Sequence, residues 1–256
     1  MSENSLTLLG TASGMPNPDR NGSGYLLETG ESLSLIDAGP GVAAAFRRNG
    51  FDHRQLDRIF ITHTHADHVA DLPTFIQMLH GLSVRRHVDV FVPADFVDPL
   101  WRYLAALYLV KERLRFDLEI HGYREGVVYD DIFRLEAFAN SHMTGHADEF
   151  HGYGYANDML CYSYLLQVGE RRILHSADIG HLDDIRDRLV DLDIALIEAK
   201  HIDINELLAL APKTTVKRYI LTHLDDRLAV AELAAKIESA RVWNVEIADD
   251  GKWIEL

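Results

Sequence analysis

The run THTHADH at residues 62–68 puts four potential metal ligands, His63, His65, Asp67 and His68, within six residues, directly behind the apolar stretch RIFIT at 58–62. On an extended chain the side chains at 63 and 65 face the same way, and a turn through Ala66 can return Asp67 and His68 to the same side at the start of a helix. Imidazole nitrogens at about 2.0–2.1 Å and carboxylate oxygens at about 2.0–2.2 Å are ordinary zinc ligands once they converge. The motif therefore asks for a buried strand, a polar loop and a helix start in immediate succession. It also asks for further ligands from elsewhere in the chain.

Three distal candidates repeat the same placement. His142 follows FRLEAFA (133–139), Asp178 follows RILHSA (172–177) and His223 follows RYILT (218–222), each just beyond an apolar, strand-like segment. A layered fold can bring loops from separate strand ends together in this way. The remaining pattern agrees with strands alternating with helices. Strands are predicted at SLTLLG (5–10), SLSLIDAG (32–39), VDVFVP (88–93), DIALIEA (193–199) and VWNVEI (242–247), with a hairpin over 161–180 turning at Gly169. Helices are predicted over 69–82, 99–116 and 228–240 and around INELLALA, while KWIEL reads as a short end. No polar linker divides the elements, so the expectation is one layered α/β domain over residues 1–256.

Charge narrows the function classes. Forty acidic against 25 basic residues give a formal net charge of −15, which opposes electrostatic tracking along RNA or DNA. The basic group Lys111, Arg113 and Arg115, with Arg85 and Arg86 elsewhere, reads as solvent or subunit contacts rather than a nucleic-acid channel. Cys161 is the single cysteine, which excludes an intrachain disulfide, fits a reducing compartment and reads as core packing. The start MSENSLTLLG lacks a basic region followed by a long apolar run, and WRYLAALYLV (101–110) is far too short to span a bilayer. A cytoplasmic protein without membrane attachment is the expectation.

The ordered set of an early Gly/Ser/Pro loop (TASGMPNPDRNGSG), the LIDAG turn, HxHxDH and the separated His142, Asp178 and His223 resembles the metallo-β-lactamase superfamily, in its ribonuclease Z-like and phosphodiesterase branch. The resemblance implies a four-layer αββα sandwich. It also implies two divalent metal ions, with His63, His65 and His142 on one, Asp67, His68 and His223 on the second, and Asp178 bridging. Zinc is the first choice for such ligands; manganese or iron fits the same nitrogen and oxygen donors.

Further roles follow from the resemblance for Asp37, Glu198 and the early loop, and from the residues themselves for the others. Asp37 would accept hydrogen bonds that fix the metal loop, and Glu198 would orient a ligand histidine such as His223. Asp67 would assist proton transfer, and His201 would donate a proton to a leaving oxygen. Ser13 and Ser23 of the early loop could meet phosphate. In the irregular segment HMTGHADEFHGYGYAND, His146 and His151 could contact substrate, while Tyr153 and Tyr155 could stack on a base. The implied activity is phosphodiester hydrolysis of a small or cyclic nucleotide through a bridging hydroxide. The alternatives are a ribonuclease Z-like RNA endonuclease, a lactone or thioester hydrolase, and a non-enzymatic metal-binding interaction protein. The apolar face around 101–110 suggests a homodimer.

Overall fold

The computed structural model describes residues 4–82, 86–155 and 158–256. They fall into two compact units, Met1–Arg124 with Asp249–Leu256, and Glu125–Ala248. Each unit is built on its own seven-stranded mixed sheet.

In the first unit the strands are β1 (Ser5–Gly10), β2 (Gly24–Thr29), β3 (Ser32–Ile36), β4 (Leu56–Phe60), β5 (His87–Pro93) and β6 (Asp117–Tyr123). They lie side by side in chain order, antiparallel from β1 to β3 and parallel from β3 to β6. The C-terminal residues, read from sequence only as a short end, form a strand (Lys252–Glu255) antiparallel to β1. Pairing with β1 supplies partners that the local pattern cannot reveal. Helices α1 (Val42–Arg48), α2 (Ala66–Val69), α3 (Leu72–Gly81) and α4 (Val97–Ala106) complete the unit. Leu35, Ile59, Val88, Val90 and Leu118 of the sheet form one core with Phe46, Phe75, Leu79, Leu100 and Leu104 of the helices.

Two predicted helices in this unit are shorter than their apolar periodicity suggests. The stretch 69–82 breaks into α2 and α3 because Pro73 sits in the first turn of α3, while the Asp71 carboxylate before it accepts from Gly41 N and Ala43 N, both at 3.0 Å. The stretch 99–116 is α-helical only to Ala106, with one 3-10 turn at Lys111–Arg113 beyond it. Tyr108 adopts the left-handed conformation (φ 62°), and Leu109 N closes back on Leu104 O at 2.9 Å. That turn returns Leu109 to the core and leaves Tyr108 78% exposed.

The second unit contains β7 (Gly126–Asp130), β8 (Arg134–Ala139), β9 (Tyr162–Val168), β10 (Arg171–His175), β11 (Ile194–Glu198), β12 (Arg218–Thr222) and β13 (Val245–Ile247), again neighbours in chain order. β7 to β10 are antiparallel and β10 to β13 parallel. Gly169, at φ 57°, makes the predicted turn between β9 and β10. Helices α5 (Ala147–Gly152), α6 (Ile204–Leu210) and α7 (Arg227–Ala240) follow. Asp203 and Asp226 cap α6 and α7 through Asn205 N and through Leu228 N and Ala229 N. The strand predicted over 242–247 begins only at Val245, with Trp243 91% exposed before it. Among the described residues no helix is long and apolar enough to cross a membrane.

Candidate functional site

Both units place their chemistry beyond the carboxyl ends of buried strands. In the first, β4 runs into Ile61, Thr62 and His63, all buried. The hydroxyl of Tyr123 donates to Ile61 O at 2.7 Å and holds this backbone. Asp37, immediately after β3, is fully buried in a left-handed conformation (φ 59°) that Asp tolerates better than most residues. Its Oδ1 accepts from Thr62 N and Thr62 Oγ1 at 2.8 and 3.0 Å, and its Oδ2 lies 2.7 Å from His68 Nδ1. With the Nδ1 proton committed to Asp37, the His68 lone pair is on Nε2, which lies 3.4 Å from Asp67 Oδ2.

A second pair forms beside it. His63 Nε2 and His65 Nδ1 are 3.1 Å apart. Thr62 Oγ1, donating to Asp37, accepts from His63 Nδ1 at 3.2 Å. That interaction leaves the His63 lone pair on Nε2. Two imidazole nitrogens at this separation repel unless a proton or a cation lies between them. Donors bound at about 2.0–2.1 Å around a tetrahedral ion sit about 3.3 Å apart, so the spacing fits a shared metal.

The early loop closes over this motif by backbone contact. Ser23 N donates to Asp67 O at 3.0 Å, and Ala38 N to His68 O at 2.7 Å. A Cβ on Gly39 would come within 2.0 Å of Asp67 O, and one on Gly14 within 3.6 Å of the Asp67 carboxylate. Glycine in LIDAG is thus required by close approach. Ser13 and Ser23, expected to face phosphate, are both buried. The loop is anchored by Asp250, which accepts from Thr11 Oγ1 and from Asn21 N and Nδ2 at 2.7–2.9 Å. Burial pushes the Asp250 carboxyl up from its ordinary range.

The second unit gathers His142, Asp178, Glu198, His201 and His223. Asp178 Oδ2 lies 3.1 Å from His223 Nε2 and 3.7 Å from His142 Nε2, so one buried carboxylate oxygen serves two imidazoles. His223, just after β12, is buried and left-handed (φ 55°). Glu198 ends β11 and is almost wholly buried. Its oxygens accept from Ile179 N, Lys200 N and His201 N and meet His201 Nδ1 at 3.1 Å. Glu198 therefore positions His201 rather than His223, because the turn through Ala199 and Lys200 folds the His201 ring back over the strand end. The bond to Glu198 raises the His201 pKa. The His201 ring lies 4.8 Å from that of His142 and 5.6 Å from that of His223.

One half-buried group was invisible in the sequence. Asp184 Oδ2 accepts from Ser141 N and Oγ and from Gly180 N at 2.8–3.1 Å, pinning the residue before His142 to the loop after Asp178. Its only local signal is its place in a polar turn. Cys161 is buried against Met143 and Met159, its thiol directed at Asp178 O. His146 and His151 lie in a 3-10 turn and in α5, remote in chain position from any strand end. Tyr153 and Tyr155 follow that helix at 70% and 65% exposure, with the Tyr153 hydroxyl on Glu149. Arg85 lies outside the described residues.

Comparison with known proteins agrees with these observations. A Ribonuclease Z from Bradyrhizobium sp. (strain ORS 278) is 34% identical over 141 residues, covering 54% of this chain and 46% of that protein. Similar relatives are likewise matched over about half of this chain and somewhat under half of their own length. Among solved structures, the metallo-beta-lactamase fold protein YhfI from Bacillus subtilis superposes with a TM-score of 0.77 at 18% identity, covering 100% of both chains. Human tRNase Z, short form (ELAC1), gives 0.75 at 20% identity over 98% of each chain. The α/β sandwich expected from sequence, with two mixed sheets flanked by helices, is the fold of these structures. A family model described as anti-Pycsar protein Apyc1 matches residues 4–242. The chain belongs to this anti-Pycsar protein Apyc1 family, with a metallo-β-lactamase fold related to the ribonuclease Z and phosphodiesterase branch.

Proposed function

We propose that this chain is a dinuclear metal-dependent phosphodiesterase whose two units act as one hydrolase domain over residues 1–256. The observation that carries the reading is the repeated convergence of imidazole and carboxylate acceptors, 3.1–3.7 Å apart, in each unit. In this reading His63, His65 and His142 would hold one ion and Asp67, His68 and His223 the other, with Asp178 the carboxylate that would serve both. Two divalent ions, zinc by preference and manganese or iron by the same donor chemistry, would neutralise phosphoryl oxygens and lower the pKa of the attacking water. Asp37 fixes the His68 tautomer, Asp67 accepts the water proton, and His201 delivers its proton to the leaving oxygen. With Nδ1 tied to Glu198, His201 presents Nε2 as the donor.

The substrate in this reading is a compact phosphodiester such as a cyclic nucleotide. The net charge of −15 supports it, since a long polyanion gains nothing from such a surface. Tyr153 and Tyr155 offer exposed rings for base stacking. The second reading, an RNA endonuclease, is favoured by the relatives named Ribonuclease Z. We further place the protein in a reducing, cytoplasmic compartment, on its single buried cysteine, and as a homodimer through exposed Tyr103, Leu107 and Tyr108. Light scattering at twice 29.0 kDa would support the dimer.

The decisive experiment loads purified protein with zinc or manganese. It then compares bis-p-nitrophenyl phosphate, cyclic mononucleotides, precursor tRNA, lactones and thioesters at matched ionic strength. Turnover of phosphodiesters that is lost in His63→Ala and His223→Ala supports the reading. Carbonyl-only turnover, or full activity and metal content in either variant, refutes it. Precursor-tRNA cleavage without small-substrate turnover would select the second reading.

A further inference from the structure

The parallel pairing of β5 with β6 sets His87 opposite Asp117, Asp89 opposite Glu119 and Phe91 opposite His121. Side chains alternate along a strand, so these six project from one face of the sheet, while Val88, Val90 and Leu118 enter the core on the other. On that face two imidazoles converge on one oxygen. His87 Nε2 lies 2.9 Å and His121 Nε2 2.6 Å from Asp89 Oδ1. Glu119 Oε2 stands 3.9 Å from His87 Nε2.

Both rings are held in place by groups that are not part of the convergence. Asp117 Oδ2 takes His87 Nδ1 at 2.9 Å, leaving Nε2 to face Asp89. A carboxylate on the far nitrogen is the usual companion of a metal-binding histidine. The His121 ring stacks on Phe91 (4.8 Å, 23°), which stacks in turn on Phe60 (4.7 Å, 10°). The nearest cation by strand register, Arg58 opposite Asp89, directs Nη1 to Ser32 Oγ at 2.9 Å. Three carboxylates and two imidazoles thus share a small surface on the edge strand of the sheet.

We propose that His87, Asp89, Glu119 and His121 form a zinc-type divalent metal site, separate from the histidine-rich loop, that staples edge strand β6 to β5. The ligand atoms of His87, Asp89 and Glu119 all lie within 4.8 Å of one another. The separations of His87 and His121 from Asp89 and of Glu119 from His87, 2.6–3.9 Å, bracket the spacing of about 3.3 Å around a tetrahedral ion, and His121, which meets the group through Asp89, would turn its ring toward the other two ligands as the fourth donor. Two nitrogen and two oxygen donors suit zinc and its transition-metal neighbours rather than calcium, which takes oxygen ligands. The proposal does not depend on the proposed hydrolase activity.

The test strips the full chain with chelator, dialyses it against zinc and measures bound metal. Wild type is expected to hold one zinc per chain more than His121→Gln or His87→Ala, and His63→Ala is expected to keep that ion. Asp117→Asn should bind it about 10–100-fold more weakly. Cobalt loaded into His63→Ala should give visible absorption that includes a four-coordinate site, and adding His121→Gln should remove one cobalt equivalent of it. Equal zinc content in wild type and both histidine variants, with matched circular dichroism, overturns the proposal and leaves an imidazolium–carboxylate network in its place. If a histidine variant fails to fold, the exposed Glu119→Gln decides, since unchanged zinc affinity there also overturns it.

Discussion

Replacing Asp37 by Asn tests the metal loop at its most constrained atom. The change keeps the shape but converts one acceptor to a donor in a fully buried position. If the amide oxygen stays on Thr62 N, the amide nitrogen faces His68 Nδ1, now 2.7 Å from a carboxylate oxygen. The imidazole can then satisfy Asn only by accepting at Nδ1, which moves its proton to Nε2, the atom directed toward Asp67. A protonated Nε2 cannot coordinate, so the expected loss is about 10–100-fold in metal affinity, equivalent to about 1.4–2.8 kcal/mol. Exchanging a charge-assisted hydrogen bond for a neutral one should cost about a further 1 kcal/mol of folding stability. Zinc titration against a competing chelator measures the first quantity and urea unfolding of the apo-protein the second. Long-range nitrogen–proton NMR of the His68 ring reads the tautomer. Zinc affinity within twofold of wild type, with His68 Nε2 unprotonated, would refute the reasoning.

Gly39→Ala should reduce stability by about 1–3 kcal/mol and weaken metal binding, because the new Cβ meets the backbone of Asp67 and Ser23 rather than movable side chains; calorimetry and zinc titration check it. Glu198→Gln should move the alkaline limb of the kcat–pH profile to lower pH. Glu198 raises the His201 pKa, so the acid form persists above its ordinary range only while that carboxylate is charged; an unmoved limb would remove His201 as the proton donor. Asp193 is held down to about 2 by Lys217, Arg172 N and Arg171. A depressed carboxylate contributes stability above its unfolded value of 3.8 that is lost as pH falls toward about 2. Because its partner Lys217 is largely solvent-exposed, Asp193→Asn should cost only about 1 kcal/mol at pH 7 by urea unfolding, and the difference should vanish near pH 2.

Much of the proposed ligand set was legible in the sequence because one local rule generates it: a buried apolar strand ends and a histidine or aspartate follows within three residues. β4 leads to His63, β10 to Asp178 and β12 to His223 within three residues of the strand end, and each apolar run announces its own burial. Helix α7 and the turn at Gly169 were legible for the same reason, since periodicity and turn chemistry act over a few residues. What escaped depends on partners distant along the chain. The C-terminal strand becomes a strand only by pairing with β1, and the helix through 99–116 ends early because Leu109 must re-enter the core. Glu198 orients His201 instead of His223 because a turn, not a motif, sets which ring it reaches. His87, Asp89, Glu119 and His121 look like scattered surface residues until the register of β5 against β6 is fixed. Sequence alone determines which faces alternate along a strand; which neighbour each face meets is set by strand pairing, a long-range choice made when the whole sheet buries its apolar side.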